Sequence, residues 1–428
     1  MRTRMLGLLV AVACGGNAAD APTFTDVGPI YEARCVACHQ EGGIGPFRLD
    51  DYESAKTWAE ASVMATADRS MPPFLVVGDG SCGEFEDSQW LTDDELATIA
   101  DWSAAGAPEG DGFSFTEQEL PALSGETIEL STPEFSPEIV GGAYAEFDEY
   151  RCFAVDLPID GDRFLTGYEV FPGNEAIVHH VIGMPVDYDE TGWSGRQTNG
   201  EIIAELSEEG RDGWPCFEGA GDGVSFSGEV ISWAPGQGAV EYPEGAGVRV
   251  GASTKMVFQV HYNLVNPEVR GQSDQTSVAV RLEEEVDNEA FVLLPDLFLA
   301  GEASVTQIPP GQKEASVTSV LPVSWIVDLP VDLQIIGILP HMHERGRQMS
   351  VEFERQDGTK ECVAQVTNWD FEWQRIYFYE TPVRFNSADT LLTECIYDTS
   401  SDTEPVLPGW GTQNEMCLPG VMVTLAPL

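Results

Sequence analysis

Six histidines occur in 428 residues, and each stands where a metal ligand would stand. His39 closes Cys35-Val36-Ala37-Cys38-His39, His179 and His180 are adjacent, His261 lies in Phe258-Gln259-Val260-His261-Tyr262, and His341 and His343 bracket Met342. Neutral imidazole is the commonest protein ligand for copper, zinc and iron. Ligands this far apart in sequence can act only if the fold gathers them, so they constrain the chain more than its composition does. The pattern implies a metalloprotein with one haem and two further metal sites.

Cys-x-x-Cys-His supplies two thiols for thioether attachment to a porphyrin and, in the next residue, the proximal iron ligand. A redox dithiol or half of a zinc site would use the same cysteines, but no second Cys-x-x-Cys follows at zinc spacing. Cys35, Cys38 and His39 are therefore expected to hold one covalently bound haem c. Met71, on the proline-stiffened Arg69-Ser70-Met71-Pro72-Pro73 loop, is the expected sixth ligand, and a thioether there raises the iron potential. Met64 is its rival, in a stretch that looks helical and where methionine more often packs.

Arg2 and Arg4 precede a short apolar run from Met5 to Ala13, so residues 1–20 read as a secretory signal, too short to span a bilayer. Ala11-Val12-Ala13-Cys14 resembles a bacterial lipoprotein cleavage box with Cys14 as the lipidated residue; ordinary signal cleavage is the other reading. The most apolar later stretch, Phe291 to Ala300, is interrupted by Pro295 and Asp296. The expected location is periplasmic or at the cell surface, including an outer-membrane lipoprotein. Asp plus Glu number 72 against 21 Lys plus Arg, a formal charge of −51. Such a surface repels nucleic acid and anionic membranes, so no nucleic-acid partner is expected.

The hydrophobic period changes along the chain. Segments around Tyr52 to Thr66 and Thr92 to Ala105 carry a helical pattern, the second opening with Thr92 three residues before Glu95, a capping-box signature. Gly106 to Gly112 is turn-rich. Beyond it, short β-rich runs recur between Gly and Pro clusters, among them Met256 to Tyr262, Ala315 to Val320, Leu333 to Leu339 and Val421 to Leu425. The expected organisation is a small all-α cytochrome c domain over 21–112, followed by two all-β sandwich domains over 113–286 and 287–428. The acidic Glu283-Glu284-Glu285-Val286-Asp287-Asn288 stretch marks the internal boundary, because residues 113–428 are too many for one ordinary sandwich.

In strands the histidine spacings gain meaning. Side chains alternate across a strand, so His341 and His343 project to one face and can chelate one ion while Met342 points away. Adjacent His179 and His180 would face opposite ways on a regular strand. Both can reach one ion only if the chain bulges there.

Several motifs then appear in order: Val178-His179-His180-Val181, Ser232-Trp233-Ala234-Pro235-Gly236, Tyr242 to Gly247, Gln259-Val260-His261-Tyr262, Ile308-Pro309-Pro310-Gly311, His341-Met342-His343 and Glu415-Met416-Cys417. Over about residues 140–428 the chain resembles the copper type II, ascorbate-dependent monooxygenases, the family of peptidylglycine α-hydroxylating monooxygenase and dopamine β-monooxygenase. The resemblance implies two jelly-roll sandwiches with two copper ions. It assigns His179, His180 and His261 to an electron-delivering copper, and His341, His343 and Met416 to an oxygen-activating copper that carries out the hydroxylation. A soft thioether from Met416 suits copper(I). It also implies a disulfide between Cys395 and Cys417. Cys82, Cys152, Cys216 and Cys362 allow three pairings, which remain open.

The resemblance implies O2 and a small organic substrate with an activated C–H bond as partners, with electrons from an external donor, either a redox protein or an ascorbate-like reductant. The fused haem domain is expected to pass those electrons on. In the peptide-amidating member an arginine before the His-x-His pair, and an asparagine and a tyrosine after the ligand methionine, hold the substrate carboxylate. Here those positions are Leu339, Leu418 and Gly420, so a peptidylglycine substrate is not expected, and Arg345 and Arg347 are the nearest cations in sequence. The alternative function is an exported copper- and haem-binding electron-transfer or copper-handling protein without hydroxylase activity.

Overall fold

A computed structural model describes residues 21–116, 118–139, 147–217, 219–295, 302–327, 331–409 and 413–426. The signal and lipid-anchor expectations on residues 1–20, Cys14 included, lie outside the described residues. The chain divides into two compact units, one of residues 1–67 and 91–118, the other of residues 68–90 and 119–428.

In the first unit, the described residues form four helices and no strand: α1 (Phe24–Arg34), α2 (Tyr52–Thr57), α3 (Ala59–Ala67) and α4 (Asp93–Ala104). The capping box predicted for α4 is present, with the Glu95 amide donating to Thr92 Oγ1 at 3.2 Å and the Thr92 amide donating to Glu95 Oε2 at 2.7 Å. The helix expected around Tyr52 to Thr66 is instead two helices that part at Trp58. Trp58 stacks on Phe47 at 4.2 Å between ring centroids. The core joins α1 to α4 through Phe24 and Tyr31, which meet Trp102 at 5.7 and 6.2 Å. The buried Trp102 indole N–H is satisfied by the Pro108 carbonyl at 3.0 Å.

The second unit is built of strands. Its N-terminal half contains β1 (Ile128–Ser131), β2 (Asp148–Asp156), β3 (Arg163–Phe171), β4 (Val178–Asp187), the helix α5 (Asn199–Leu206), β5 (Trp214–Pro215), β6 (Ile231–Trp233), β7 (Val240–Glu241), β8 (Ala246–Val250), β9 (Thr254–Asn263) and β10 (Ser277–Glu283). The C-terminal half contains β11 (Asn288–Leu293), β12 (Glu302–Ala303), β13 (Ala315–Pro322), β14 (Leu333–His341), β15 (Gly346–Glu354), β16 (Lys360–Val366), β17 (Tyr377–Phe385), β18 (Thr390–Tyr397) and β19 (Leu418–Leu425). Each half has its own five-stranded sheet, ordered β5-β2-β9-β4-β6 and β12-β13-β18-β15-β16. Opposite them runs one nine-stranded sheet, β1-β10-β3-β8-β11-β19-β14-β17, with β7 beside β3.

The sandwich layers follow from patterning. In β13, Ala315, Val317, Ser319 and Leu321 are buried while Ser316, Thr318 and Val320 are exposed, the alternation of a sheet with one face in the core. Central β9 is covered on both faces, since α5 and the Trp214 region pack outside its sheet, and accordingly it reads as a near-continuous apolar run. One core lies between β2, β4 and β9 and their facing strands β3, β8 and β10; a second lies between β13, β15, β16 and β18 and their facing strands β14, β17 and β19.

The acidic boundary stretch is the connection from β10 to β11, but the sheet does not end there. β11 pairs in parallel with β8, Asn288 opposite Ala246, so the two sandwiches share one continuous sheet. Residues 68–90, expected alongside the helices, group with the second unit instead. Cys82 is disulfide-bonded to Cys362, Val76 bridges Val366, and Phe74 packs edge-on against Tyr377 at 4.9 Å. The apolar Phe74 to Val77 run fills part of the C-terminal core, a long-range packing role that local sequence does not signal. The remaining cysteines pair as Cys152–Cys216 and Cys395–Cys417, which closes the open pairings. Among the described residues only Cys35 and Cys38 are free.

Candidate metal centres

His179 and His180 lie at the start of β4, where its register against β9 shifts between Val178 and His180. Two residues of β4 therefore oppose one of β9, and the bulge turns both imidazoles toward the same side. His261, on β9, stands opposite His180, and Tyr150, on β2, stands opposite His261. The rings of Tyr150 and His261 stack at 4.0 Å and 8°. The three side chains meet through one kind of nitrogen, with His180 Nδ1 lying 3.4 Å from His179 Nδ1 and 3.2 Å from His261 Nδ1.

Ligand nitrogens about 2.0 Å from one ion in a tetrahedral arrangement are about 3.3 Å apart, so this trio has the spacing of a chelate. Burial and the neighbouring imidazoles hold His180 and His261 well below the usual histidine pKa, which keeps their lone pairs available at neutral pH. The opposite ring nitrogens face carboxylates. His179 Nε2 contacts Glu372, and His261 Nε2 lies 3.4 Å from Asp148 Oδ1.

The second cluster sits where β14 ends. His341 is its last residue, opposite Leu418 of β19, and His343 follows two residues on. Their rings lie 5.1 Å apart at 85°, while Met342 between them is fully buried in the core. His341 Nδ1 pairs with the Gln374 side-chain oxygen, and His343 Nδ1 donates to the Asn414 carbonyl at 3.0 Å. Those acceptors fix the tautomer with the proton on Nδ1, leaving each Nε2 lone pair for a metal. Burial lowers the pKa of His341 and pushes His343 down to about 3.

Met416 is fully buried beside this pair. Its backbone is fixed from several directions: the Tyr397 hydroxyl donates to its carbonyl at 2.8 Å, Cys417 is bonded to Cys395, and the preceding Glu415 carboxylate accepts the backbone N–H groups of His343 and Arg345 at 2.9 and 2.8 Å. Burial lifts the Glu415 pKa to about 8, against the pull of those two donors. Two segments distant in sequence are thus locked together at the site. An imidazole pair with a thioether is a softer donor set than three imidazoles, and suits copper(I) better than zinc.

One cavity is lined by His180 from the first cluster and by His341, His343 and Met416 from the second. Tyr150, Phe217, Leu294, Leu339, Phe371 and Leu418 give it apolar walls. Glu229 is its one acidic group, and burial raises its pKa to about 7. No hydrogen-bond or ion-pair partner of Glu229 occurs among the described residues. Arg345 is turned to a structural task, bonded to Asp402 at 2.9 and 2.8 Å, and Arg347 donates to the Glu344 and Gly346 carbonyls. Neither lines the cavity. Glu229, Asp148, Glu372 and Gln374 escaped the sequence reading because a lone acidic or amide residue carries no spacing signal.

In the first unit, the His39 amide closes a turn on the Cys35 carbonyl at 3.0 Å, and His39 Nδ1 pairs with the Phe47 carbonyl at 2.9 Å, again leaving Nε2 as the available ligand atom. Gly45 lets the loop pass close by, since a Cβ there would lie 2.5 Å from His39 Nδ1. Burial raises the pKa of both thiols, Cys35 to about 12, so they are neutral. Trp58 and Met64 are apolar yet 39% and 66% exposed in the same unit. Two unbonded thiols one turn apart, an oriented imidazole and uncovered apolar side chains fit a covalently held haem. Met64 lies on α3 with His39 in the first unit, whereas Met71 belongs to the second.

Comparison with known proteins bears on the β unit. Residues 296–423 match the family described as copper type II ascorbate-dependent monooxygenase, C-terminal domain. The chain is 22% identical over 351 residues to a tyramine beta-hydroxylase of Caenorhabditis briggsae, covering 78% of this chain and 54% of that protein. It is 26% identical over 293 residues to a dopamine beta-hydroxylase of Rattus norvegicus, covering 63% and 42%, and 23% identical over 258 residues to the human DBH-like monooxygenase protein 1, covering 58% and 39%. The chain thus spans about half the length of these relatives or less. Over residues 296–423 the chain is thus similar to the C-terminal domain of the copper type II ascorbate-dependent monooxygenases, a family of oxidoreductases.

Proposed function

We propose that this protein is a copper-dependent monooxygenase that uses O2 to hydroxylate an activated C–H bond of a small organic amine. One observation carries the reading: a three-imidazole cluster and a two-imidazole, one-thioether cluster contribute to the lining of a single cavity. Copper held by His179, His180 and His261, and by His341, His343 and Met416, would supply one-electron transfer and dioxygen activation. The chain's own residues do the rest. Gln374 and the Asn414 carbonyl keep His341 and His343 in one tautomer, Glu415 and the Cys395–Cys417 bond hold Met416 against them, and the apolar walls exclude water from the reacting C–H bond.

Glu229 supports an amine. A carboxylate in an aromatic-lined cavity, with no partner among the described residues, is paired when an ammonium group enters, and both partners leave water together. The relatives named for tyramine and dopamine act on amines, in keeping with this assignment. Leu339 and Leu418, which line the same cavity, offer nothing to a substrate carboxylate.

We further propose that the first unit holds a haem c on Cys35 and Cys38 with His39 as proximal ligand, and serves the same chain as a one-electron donor, refilled by a redox protein or an ascorbate-like reductant. Met71 is the proposed sixth ligand. Met64 is the second candidate because it shares a unit with His39. Losing the methionine-to-iron band in Met71→Ala or in Met64→Ala decides between them. Pigment that leaves with acid acetone would remove the covalent haem. The activity itself is tested by supplying 18O2 to reduced, copper-loaded protein with an arylethylamine: one labelled oxygen in the product is expected, and reversible copper and haem redox chemistry without product would favour an electron-transfer or copper-handling protein.

A further inference from the structure

The two clusters differ in what stands behind their imidazoles. At the three-histidine cluster the ring nitrogens turned away from the metal position meet acids, Glu372 at His179 and Asp148 at His261. At the other cluster they meet neutral oxygens, the Gln374 amide and the Asn414 carbonyl. Glu372 and Gln374 belong to one short segment, with the 3-10 turn Phe371–Trp373 capped by Asp370, so a single element places an acid behind one cluster and an amide behind the other.

A carboxylate accepting an imidazole N–H, as Glu372 is placed to do at His179, makes that imidazole a stronger donor, while Asp148, 3.4 Å from His261 Nε2 without a hydrogen bond to it, adds negative charge near the ion. The higher oxidation state gains most from both effects. We propose that Glu372 and Asp148 are positioning residues that make the three-histidine site the lower-potential copper of the pair, with the Gln374 and Asn414 side kept at higher potential. This rests on the copper reading above. It assigns the acids a role in the ordering of the two potentials, so that an electron placed on the first copper is drawn toward the second.

The test is a copper(II) competition assay with a redox titration followed by electron paramagnetic resonance, on the full chain loaded with copper. Glu372→Gln keeps a hydrogen-bonding group and removes the charge; its side chain is 53% exposed, so the fold should survive. Copper(II) affinity at the three-histidine site should fall about tenfold to a hundredfold. With copper(I) affinity unchanged, each tenfold raises the potential by about 59 mV. Asp148→Asn should act in the same direction, Glu372→Asp should restore the original potential, and the His341 site should stay where it was. Unchanged affinity and potential in both charge-removing variants, or equal shifts at both coppers, would overturn the proposal. Unmodified protein that takes up fewer than two coppers would instead overturn the copper reading beneath it.

Discussion

The two histidine clusters are assembled in different ways. His179, His180 and His261 all come from neighbouring strands of one sheet, and a single β-bulge brings the adjacent pair into play. His341, His343 and Met416 come from the end of β14 and from the chain before β19, held by Glu415, by the Tyr397 hydroxyl and by a disulfide. The first cluster borrows its rigidity from a buried hydrogen-bonded ladder. The second needs dedicated braces, and so it is the one that a distant mutation can loosen without unfolding the sheet.

The largest expected effect separates the clusters outright. His341→Ala should abolish product formation while leaving copper at the three-histidine site and any haem spectrum intact. A variant that still hydroxylates would place the oxygen chemistry elsewhere. Breaking the Cys395–Cys417 brace by Cys395→Ser with Cys417→Ser should cost about 2–5 kcal/mol in denaturant unfolding, and the surviving folded protein should lose copper at the methionine site first. Equal copper loss at both sites would show that the braces are not local. Glu415→Ala leaves two N–H groups of the His343 loop without their acceptor, at about 1–3 kcal/mol for each left buried, and should lower copper(I) affinity only at the His341 site.

A smaller effect is expected at the cavity wall. Glu229→Gln should raise KM for an arylethylamine about tenfold, a loss of about 1.4 kcal/mol of binding, with little change for a neutral analogue. The sign of the pH dependence follows from burial. Because the folded protein raises this carboxyl from its ordinary 4.5 to about 7, it is neutral below that range and becomes the amine's partner only as pH rises through it. KM for the amine should therefore fall between about pH 6 and 8 in the parent and stay flat in the variant. An identical pH profile in both would exclude Glu229 as the anchor.

What could be read in advance was local or periodic. The adjacent His179-His180 pair already demanded a bulge, the His341-Met342-His343 alternation put Met342 in the core, and Thr92 with Glu95 marked the start of α4. The parts that escaped depend on contacts between distant residues. Nothing near Phe74 to Val77 says that this run packs under Tyr377, and nothing near Cys82 names Cys362 as its partner. Glu372, Gln374, Asp148 and Glu229 escaped for a related reason: each becomes chemically meaningful only beside an imidazole or a cavity that the fold supplies.

The proposed function requires one chain to hold two unlike copper sites. Copper titration of the full chain, read by electron paramagnetic resonance in the parent, in His179→Ala and in His341→Ala, tests it most directly. Two coppers per chain with two distinguishable signals are expected, each variant losing a different one. A single copper, two indistinguishable signals, or the same signal lost in both variants would rule out two unlike sites.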